Sequence, residues 1–139
     1  MKKALITYLS KTGTTKYFGH NIEKYLKEKG IECVAKSIHD VSPDQVSQYD
    51  FLIFGCWTHG LIIAFQHPDR EWVKWANQIP NIKNKKIMLF TTYKIAVGGI
   101  FKKMAKHLRV EESNNTVWIK SKNENLSAIH KAQLDNFIA

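Results

Sequence analysis

The chain has 139 residues, of which 44% are hydrophobic and 24% charged, a composition that excludes a long disordered region and suits one globular domain over residues 1–139. Its 21 Lys and Arg residues outnumber the 12 Asp and Glu residues, so a formal net charge of +9 attracts acidic partners. Only two cysteines are present, and no segment approaches the roughly 18 consecutive apolar residues of a membrane span, so we expect a soluble cytoplasmic protein without a disulfide scaffold or membrane contact.

Strand-like and helix-like patterns alternate along the whole chain. In chain order they predict a strand over residues 4–9, a helix over 16–29, a strand over 31–38, a connection with about one helical turn over 40–49, a strand over 51–57, a helix over 69–78, a strand over 86–92, a helix over 100–108, a strand over 116–120 and a helix over 126–138. The alternation predicts an α/β fold, a three-layer αβα sandwich around a five-stranded parallel sheet.

Three loops of this predicted fold leave the carboxyl ends of central strands. They span residues 10–15, 58–68 and 93–99. In open parallel sheets, ligands bind beyond the carboxyl ends of the strands, at the point where the strand order reverses. We therefore expect these three loops to form the binding site.

The first loop concentrates small hydroxyl residues between a strand and a helix, in the run Ser10, Lys11, Thr12, Gly13, Thr14 and Thr15. The first backbone N–H groups of a helix lack internal partners, and the helix dipole adds positive potential, so together they form an anion site. Gly13 allows the backbone to turn closely around a ligand. Helix capping by Thr14 or Thr15 is the alternative, although capping requires one hydroxyl and leaves the others unexplained.

The segment YLSKTGTTK also resembles the phosphate loop of flavodoxins, whose pattern after the first strand is Ser/Thr-x-Thr-Gly-x-Thr. The matching residues are Ser10, Thr12, Gly13 and Thr15. The resemblance implies that FMN is the cofactor and that its phosphate is held by hydroxyls and backbone amides of residues 10–15. It also implies the flavodoxin-like strand order 2-1-3-4-5.

The second loop, in the segment GCWTHG, is similar to the flavodoxin loop that contacts the flavin ring, and the matching residues are Gly55, Cys56, Thr58 and Gly60. The resemblance implies that Trp57, Thr58, His59 and Gly60 contact the cofactor. His59 lies where the family often has an aromatic residue or Met over one face of the ring, and a surface histidine is the alternative. Trp57 is either a core residue at the end of the strand or a neighbour of the ring.

The third loop follows the fourth strand in the segment TTYKIAVGG, and the resemblance implies that its cofactor-binding residues are Thr91, Thr92, Tyr93, Lys94 and Gly98. Tyr93 lies where flavodoxins commonly stack an aromatic residue on the outer face of the flavin, and an exposed loop tyrosine is the alternative. The family loop usually carries Asp or Glu, whereas this one carries Lys94 and no acid. The register of this loop on the flavin therefore stays open.

Three functions are compatible with these loops. The resemblance favours an FMN-binding electron carrier that transfers electrons to or from a partner oxidoreductase. An FMN-dependent NAD(P)H/quinone-type reductase is the alternative, because residues 61–68 are apolar where carrier flavodoxins are usually acidic. The third is a non-redox binding module, because a fold alone does not determine a function.

The charge separates this chain from typical flavodoxins, which are acidic and thereby hold the reduction potential of the flavin low. Lys11, Lys94 and His59 lie near the proposed ring site, so we expect a less negative potential for full reduction and an acidic redox partner. Nucleic acid is not an expected partner, because the lysines are dispersed and the sequence contains no reader motif. The sequence shows no metal-ligand cluster, and surface positions without partners are expected for His20, His39, His107 and His130.

Overall fold

A computed structural model describes residues 2–58, 67–94, 97–111 and 116–139 of the chain. The strands are β1 (Lys3–Leu9), β2 (Glu32–Ser37), β3 (Phe51–Cys56), β4 (Lys86–Thr92) and β5 (Thr116–Ser121). The α-helices of the described residues are α1 (Thr14–Glu28), α2 (Arg70–Ala76), α3 (Ile100–Leu108) and α4 (Ala128–Ile138). Strands and helices alternate as the sequence predicts.

The five strands form one parallel sheet with the order β2-β1-β3-β4-β5. The predicted fold class and strand order are therefore confirmed. The order reverses at β1, since the chain leaves it first towards β2 and then returns to its other side with β3. The carboxyl ends of β1, β3 and β4 consequently lie side by side at one edge of the sheet, where a ligand of such a fold binds.

Helices cover both faces of the sheet, which gives the predicted three layers. Successive side chains of a strand point to opposite faces, so each central strand contributes to both cores. Helices α2 and α3 cover one face, and α1 and α4 cover the other. Representative core residues are Leu5, Trp72 and Met104 on the first face and Ile6, Phe18 and Phe137 on the second.

Local capping explains where the helices depart from their predicted limits. Helix α1 begins at Thr14, two residues earlier than predicted, because Gly13 adopts a left-handed conformation and turns the chain into the helix. Helix α2 excludes Asp69, because that side chain accepts the amide hydrogen of Glu71 and acts as the N-cap. Helix α4 starts after Ser127, which is its N-cap.

The connection after β2 is more helical than the single turn that the sequence predicts. It contains two short 3-10 helices, Ile38–Asp40 and Pro43–Gln48. The second is stabilised by a capping box between Ser42 and Gln45 and by the proline at its start.

No helix within the described ranges is both long and apolar enough to cross a bilayer.

Candidate cofactor-binding site

The turn between β1 and α1 is organised around Gly13. Its backbone has φ 99° and ψ −20°, and its amide donates to the hydroxyl oxygen of Ser10 over 3.0 Å. The amide of Tyr17 donates to the carbonyl of Gly13 at 2.9 Å, which closes the first turn of the helix. The amides of the three residues between them therefore have no acceptor inside the helix and face the loop.

Helix capping does not account for the hydroxyls of this loop. Gly13 is the N-cap of α1, and no side chain caps this helix, so the capping alternative for Thr14 or Thr15 is wrong. Ser10 stabilises the turn, and Thr15 is buried inside the fold. Across the described ranges, the hydroxyls of Thr12 and Thr14 find no hydrogen-bonding partner in the protein.

The geometry of the turn suits a phosphate. Three amides of the first helical turn lie in the same loop as the hydroxyls of Thr12 and Thr14, which have no hydrogen-bonding partner among the described residues, and the dipole of a 15-residue helix favours negative charge there. Lys11 and Lys16 flank the turn with exposed side chains. Glycine suits position 13, because a Cβ there would lie 3.2 Å from the Tyr17 ring in a backbone conformation that L residues rarely adopt.

A row of four threonines, three of them buried, joins the first loop to the ends of β3 and β4. The hydroxyl oxygens of Thr15 and Thr92 lie 2.6 Å apart, and those of Thr58 and Thr91 lie 2.8 Å apart. The backbone amide of Thr58 donates to the carbonyl of Thr92 at 3.0 Å. These contacts connect all three loops that the sequence assigns to the site.

The direction of one hydrogen bond in this row follows from counting hydrogens. The Thr91 hydroxyl donates its single hydrogen to the carbonyl oxygen of Cys56 over 2.6 Å. It can then only accept from Thr58, which must donate. The Thr58 hydroxyl therefore offers lone pairs alone to a bound ligand, and the fully buried Thr91 supports the loop from within.

Two aromatic residues lie at the ends of β3 and β4, and a lysine ammonium group lies near the ring of each. Trp57 is half-buried against the core, and the Nζ of Lys11 lies 4.9 Å from its ring centroid. Tyr93 is half-buried, its amide donates to the Ser121 carbonyl, and the Nζ of Lys122 lies 5.7 Å from its ring. Lys122 is not among the site residues predicted from the sequence, although its position directly after β5 places it at the same carboxyl edge of the sheet.

The remaining predicted site residues divide between described and undescribed positions. Lys94 and Gly98 are exposed, and Gly98 has a positive φ of 52°. His59, Gly60 and the apolar residues 61–66 lie outside the described residues. Cofactor contacts by all of the predicted site residues stay predictions.

The four histidines away from these loops have partners, so the expectation that they lack partners is wrong, whereas their expected surface position is consistent with the fold because none of them is buried. His20 lies 3.2 Å from the Tyr8 hydroxyl, and His39 lies 3.2 Å from Glu71. His107 contacts Asn77, and His130 completes the capping box of α4. The spacing Ser-x-x-His at residues 127–130 could have revealed the last of these.

Comparison with known proteins identifies the family. A family model described as a flavodoxin domain matches residues 5–131. The chain belongs to the flavodoxin family. FMN is the cofactor of flavodoxins, so the expected cofactor is confirmed, and the amides and hydroxyls of the first loop have the donor chemistry that the phosphate of FMN requires.

Similar flavodoxins are known from several bacteria. A curated flavodoxin from Maridesulfovibrio salexigens is 38% identical over 61 residues, a segment that covers 43% of this chain and only 42% of that protein. The crystal structure of oxidised flavodoxin 2 from Bacillus cereus is 19% identical, with a TM-score of 0.74 over 98% of this chain and 97% of the other. An FMN-bound flavodoxin mutant from Fusobacterium nucleatum is 16% identical, with a TM-score of 0.64 over 99% and 94%. At these identities the two structures bear on the fold alone.

Proposed function

We propose that this flavodoxin holds FMN at the carboxyl edge of its sheet and carries electrons to or from a partner oxidoreductase. One observation carries the proposal. The first turn of α1 presents unpaired amides beside the hydroxyls of Thr12 and Thr14, which have no partner in the part of the chain that the structure describes. This anion seat lies next to the strand ends that bear Trp57 and Tyr93.

Each part of the site has a separate task in this proposal. The phosphate is held by the amides of α1 and by hydroxyls of residues 10–15, and the ring lies between the loops after β3 and β4. Bound FMN supplies one- and two-electron transfer. The chain orients the cofactor, shields one side of it from water and leaves an edge open to a partner.

The first experiment asks whether the purified protein holds flavin. Absorbance bands at about 370 and 450 nm that persist through desalting after FMN addition support the proposal, because flavin bound to the protein is retained. A protein that retains no flavin would instead be a binding module for another ligand. Riboflavin, which lacks the phosphate, is the matched ligand, and the anion seat predicts that it binds more weakly than FMN.

The second experiment separates a carrier from a turnover enzyme. A carrier exchanges electrons with redox proteins but does not oxidise NAD(P)H steadily when only a quinone is added. Steady-state oxidation of NAD(P)H with a quinone acceptor would contradict the carrier and favour the reductase.

The surroundings of the site predict the reduction potential. Lys11, Lys94 and Lys122 are exposed near the aromatic residues of the site, and cations stabilise the negative charge that flavin gains on full reduction. We expect a less negative potential than in an acidic flavodoxin, and a more negative potential in the Lys94→Gln variant than in the wild type. Spectroelectrochemical titration measures both, and a wild-type potential as low as that of an acidic flavodoxin would refute the electrostatic argument.

The same charges predict the class of partner. A basic surface around the exposed edge attracts an acidic redox protein and accelerates its encounter at low salt. The two cysteines are free and buried, which suits a reducing cytoplasm.

A further inference from the structure

The contact between Thr15 and Thr92 joins the first loop to the end of β4. The two hydroxyl oxygens are 2.6 Å apart although the residues are separated by 77 positions in the chain. Thr15 is 1% exposed and Thr92 is 7% exposed. Within the described ranges, each of these hydroxyls has the other as its only partner. A short, buried bond of this kind fixes the rotation of both side chains.

The hydrogens of this pair can be assigned once an anion is bound in the loop. Each threonine hydroxyl has one hydrogen and can accept two further hydrogen bonds. A phosphate oxygen only accepts, so Thr15 can bind it only by donating its own hydrogen. Thr92 must then donate to Thr15, and its hydrogen is used completely in that bond.

We infer that Thr92 is a positioning residue of the phosphate site, which acts by directing the Thr15 hydroxyl towards the phosphate. This inference rests on the proposed function, since it requires FMN in the loop. Thr92 is the last residue of β4, so the strand that bears the ring-contacting loop also orients the phosphate donor at the start of α1. A valine at position 92 would keep the shape of the side chain but leave the Thr15 hydroxyl without its donor.

The experiment compares Thr92→Val with Thr92→Ser, using titrations of the purified, cofactor-free protein with FMN and with riboflavin. We expect Thr92→Val to weaken FMN binding roughly tenfold, the scale of one charge-assisted hydrogen bond. Riboflavin affinity should change by less than about twofold, because riboflavin has no phosphate for Thr15 to bind. Thr92→Ser retains the hydroxyl and should retain FMN affinity.

Thr7 provides a matched control in the same sheet. It is fully buried in β1, and its hydroxyl has no hydrogen-bond partner among the described residues. Thr7→Val therefore makes the same chemical change without removing a hydrogen bond, and FMN affinity should not change. The Thr15→Val variant provides a second test, because the additional change Thr92→Val should cost no further FMN affinity in that background.

The outcomes distinguish this inference from the proposed function. A wild-type protein that binds no FMN overturns both. Wild-type binding of FMN with unchanged affinity in Thr92→Val overturns the inference alone, and so does an equal loss of FMN and riboflavin, which would show a purely structural role. Unfolding curves of the cofactor-free proteins verify folding, and Thr92→Ala carries the same prediction if Thr92→Val does not fold.

Discussion

The serine and threonines of residues 10–15 look equivalent in the sequence, but their hydroxyls make different contacts in the fold. Ser10 accepts the amide hydrogen of Gly13 and shapes the turn, whereas Thr15 is turned inwards to Thr92. Thr12 and Thr14 keep their hydroxyls without partners in the described chain. Ser10 thus shapes the anion seat, Thr12 and Thr14 can line it, and the Thr15 hydroxyl is held in place by Thr92.

Gly13 gives the first prediction at the scale of single residues. We expect Gly13→Ala to destabilise the protein by about 1–2 kcal/mol, because its φ of 99° is strained for an L residue and the new Cβ would lie 3.2 Å from the Tyr17 ring. FMN affinity should fall as well, since the turn that holds the amides in place is distorted. Chemical denaturation and FMN titration measure the two effects.

Gly30 supplies the control for this prediction. It also has a positive φ of 82°, but a Cβ there would meet nothing within 4 Å, and it follows the opposite end of α1. Gly30→Ala should therefore reduce stability while leaving FMN affinity unchanged. An equal loss of FMN affinity in both variants would mean that Gly13 acts only through global stability.

At the scale of secondary-structure elements, the packing between β3 and β4 depends on a glycine in one strand that leaves room for a phenylalanine ring of the other. Gly55 is paired with Phe90 in the parallel register, and a Cβ on Gly55 would lie only 2.0 Å from Cζ of the Phe90 ring. Phe90 in turn contacts Phe18 of α1. The glycine at the start of the GCWTHG segment is therefore required for packing beneath the site.

We predict that Gly55→Ala destabilises the protein by about 1–3 kcal/mol or more, because the ring has to move within a closely packed core. Chemical denaturation measures the loss. In the double variant with Phe90→Leu, the smaller side chain makes room, so the combined loss should be smaller than the sum of the two single losses. Strictly additive losses would show that the clash with Phe90 is not the cause.

At the scale of the whole molecule, one sheet connects both cores and the cofactor site. Leu5 and Ile6 of β1 belong to different cores, so neither core can separate from the sheet without disturbing the other. We propose on this basis that the chain is a single domain that unfolds cooperatively. An approaching partner would then meet the field of the whole net charge of +9, and several lysines lie at the edge where electrons would enter and leave.

This charge predicts which oxidants react fastest with the reduced protein. Each oxidant's rate with the reduced protein is compared with its rate with free reduced FMN. By this measure, anionic ferricyanide should accept electrons from the protein faster than a cationic hexaammine metal complex does, because the basic surface attracts the anion and repels the cation. The difference should fall as salt rises from about 0.01 to 1 M, where the Debye length shrinks from roughly 30 to 3 Å. Stopped-flow kinetics measure both rates.

A pair of charge-reversal variants locates this effect. Lys94→Glu, beside Tyr93, should reduce the preference for the anionic oxidant. Lys83→Glu makes the same change in net charge before the amino end of β4, on the opposite edge of the sheet, and should change the preference less. Equal effects of both variants would contradict docking at the proposed edge.

Alkaline pH should destabilise the fold through its buried thiols. Burial raises the pKa of Cys33 from 9.0 to about 11, and burial raises the pKa of Cys56 as well. The folded state therefore holds these protons more tightly than the unfolded state, so this stabilisation is complete below about pH 9 and is lost as pH rises towards 11. Unfolding free energies measured at pH 8 and pH 10.5 should show the decrease.

Cys33→Ser tests the origin of this decrease. The Cys33 thiol donates to the Glu23 carbonyl over 3.4 Å, and serine keeps a donor but does not titrate in this range. The variant should lose less stability than the wild type between the two pH values. An unchanged difference would assign the alkaline effect to other groups, such as Tyr8, whose pKa is raised mainly by burial.

Short-range patterns explain how much of this protein could be predicted from its sequence. The largely apolar runs at residues 51–57 and 86–92 and the helical spacing of Trp72, Trp75 and Ile79 predict buried strands and a covering helix. Residues 51–56 and 87–92 and these three helix-face side chains are buried. The glycine and hydroxyl residues after the first strand likewise predict an anion seat. Such features depend on neighbours in the chain, which a sequence displays directly.

Other features were decided only by the tertiary structure, because they depend on which strand ends meet. The sequence cannot show that Thr15 bonds to Thr92. Nor can it show that the Phe90 ring lies against Gly55, or that the Lys122 ammonium group lies near the Tyr93 ring. These contacts join residues that are far apart in the chain and are created by the order β2-β1-β3-β4-β5. The sequence alone determined the strand-to-helix turn that suits a phosphate. The tertiary structure decided how each hydroxyl is oriented and bonded, since each hydroxyl has only one hydrogen to donate and its partners come from other strands.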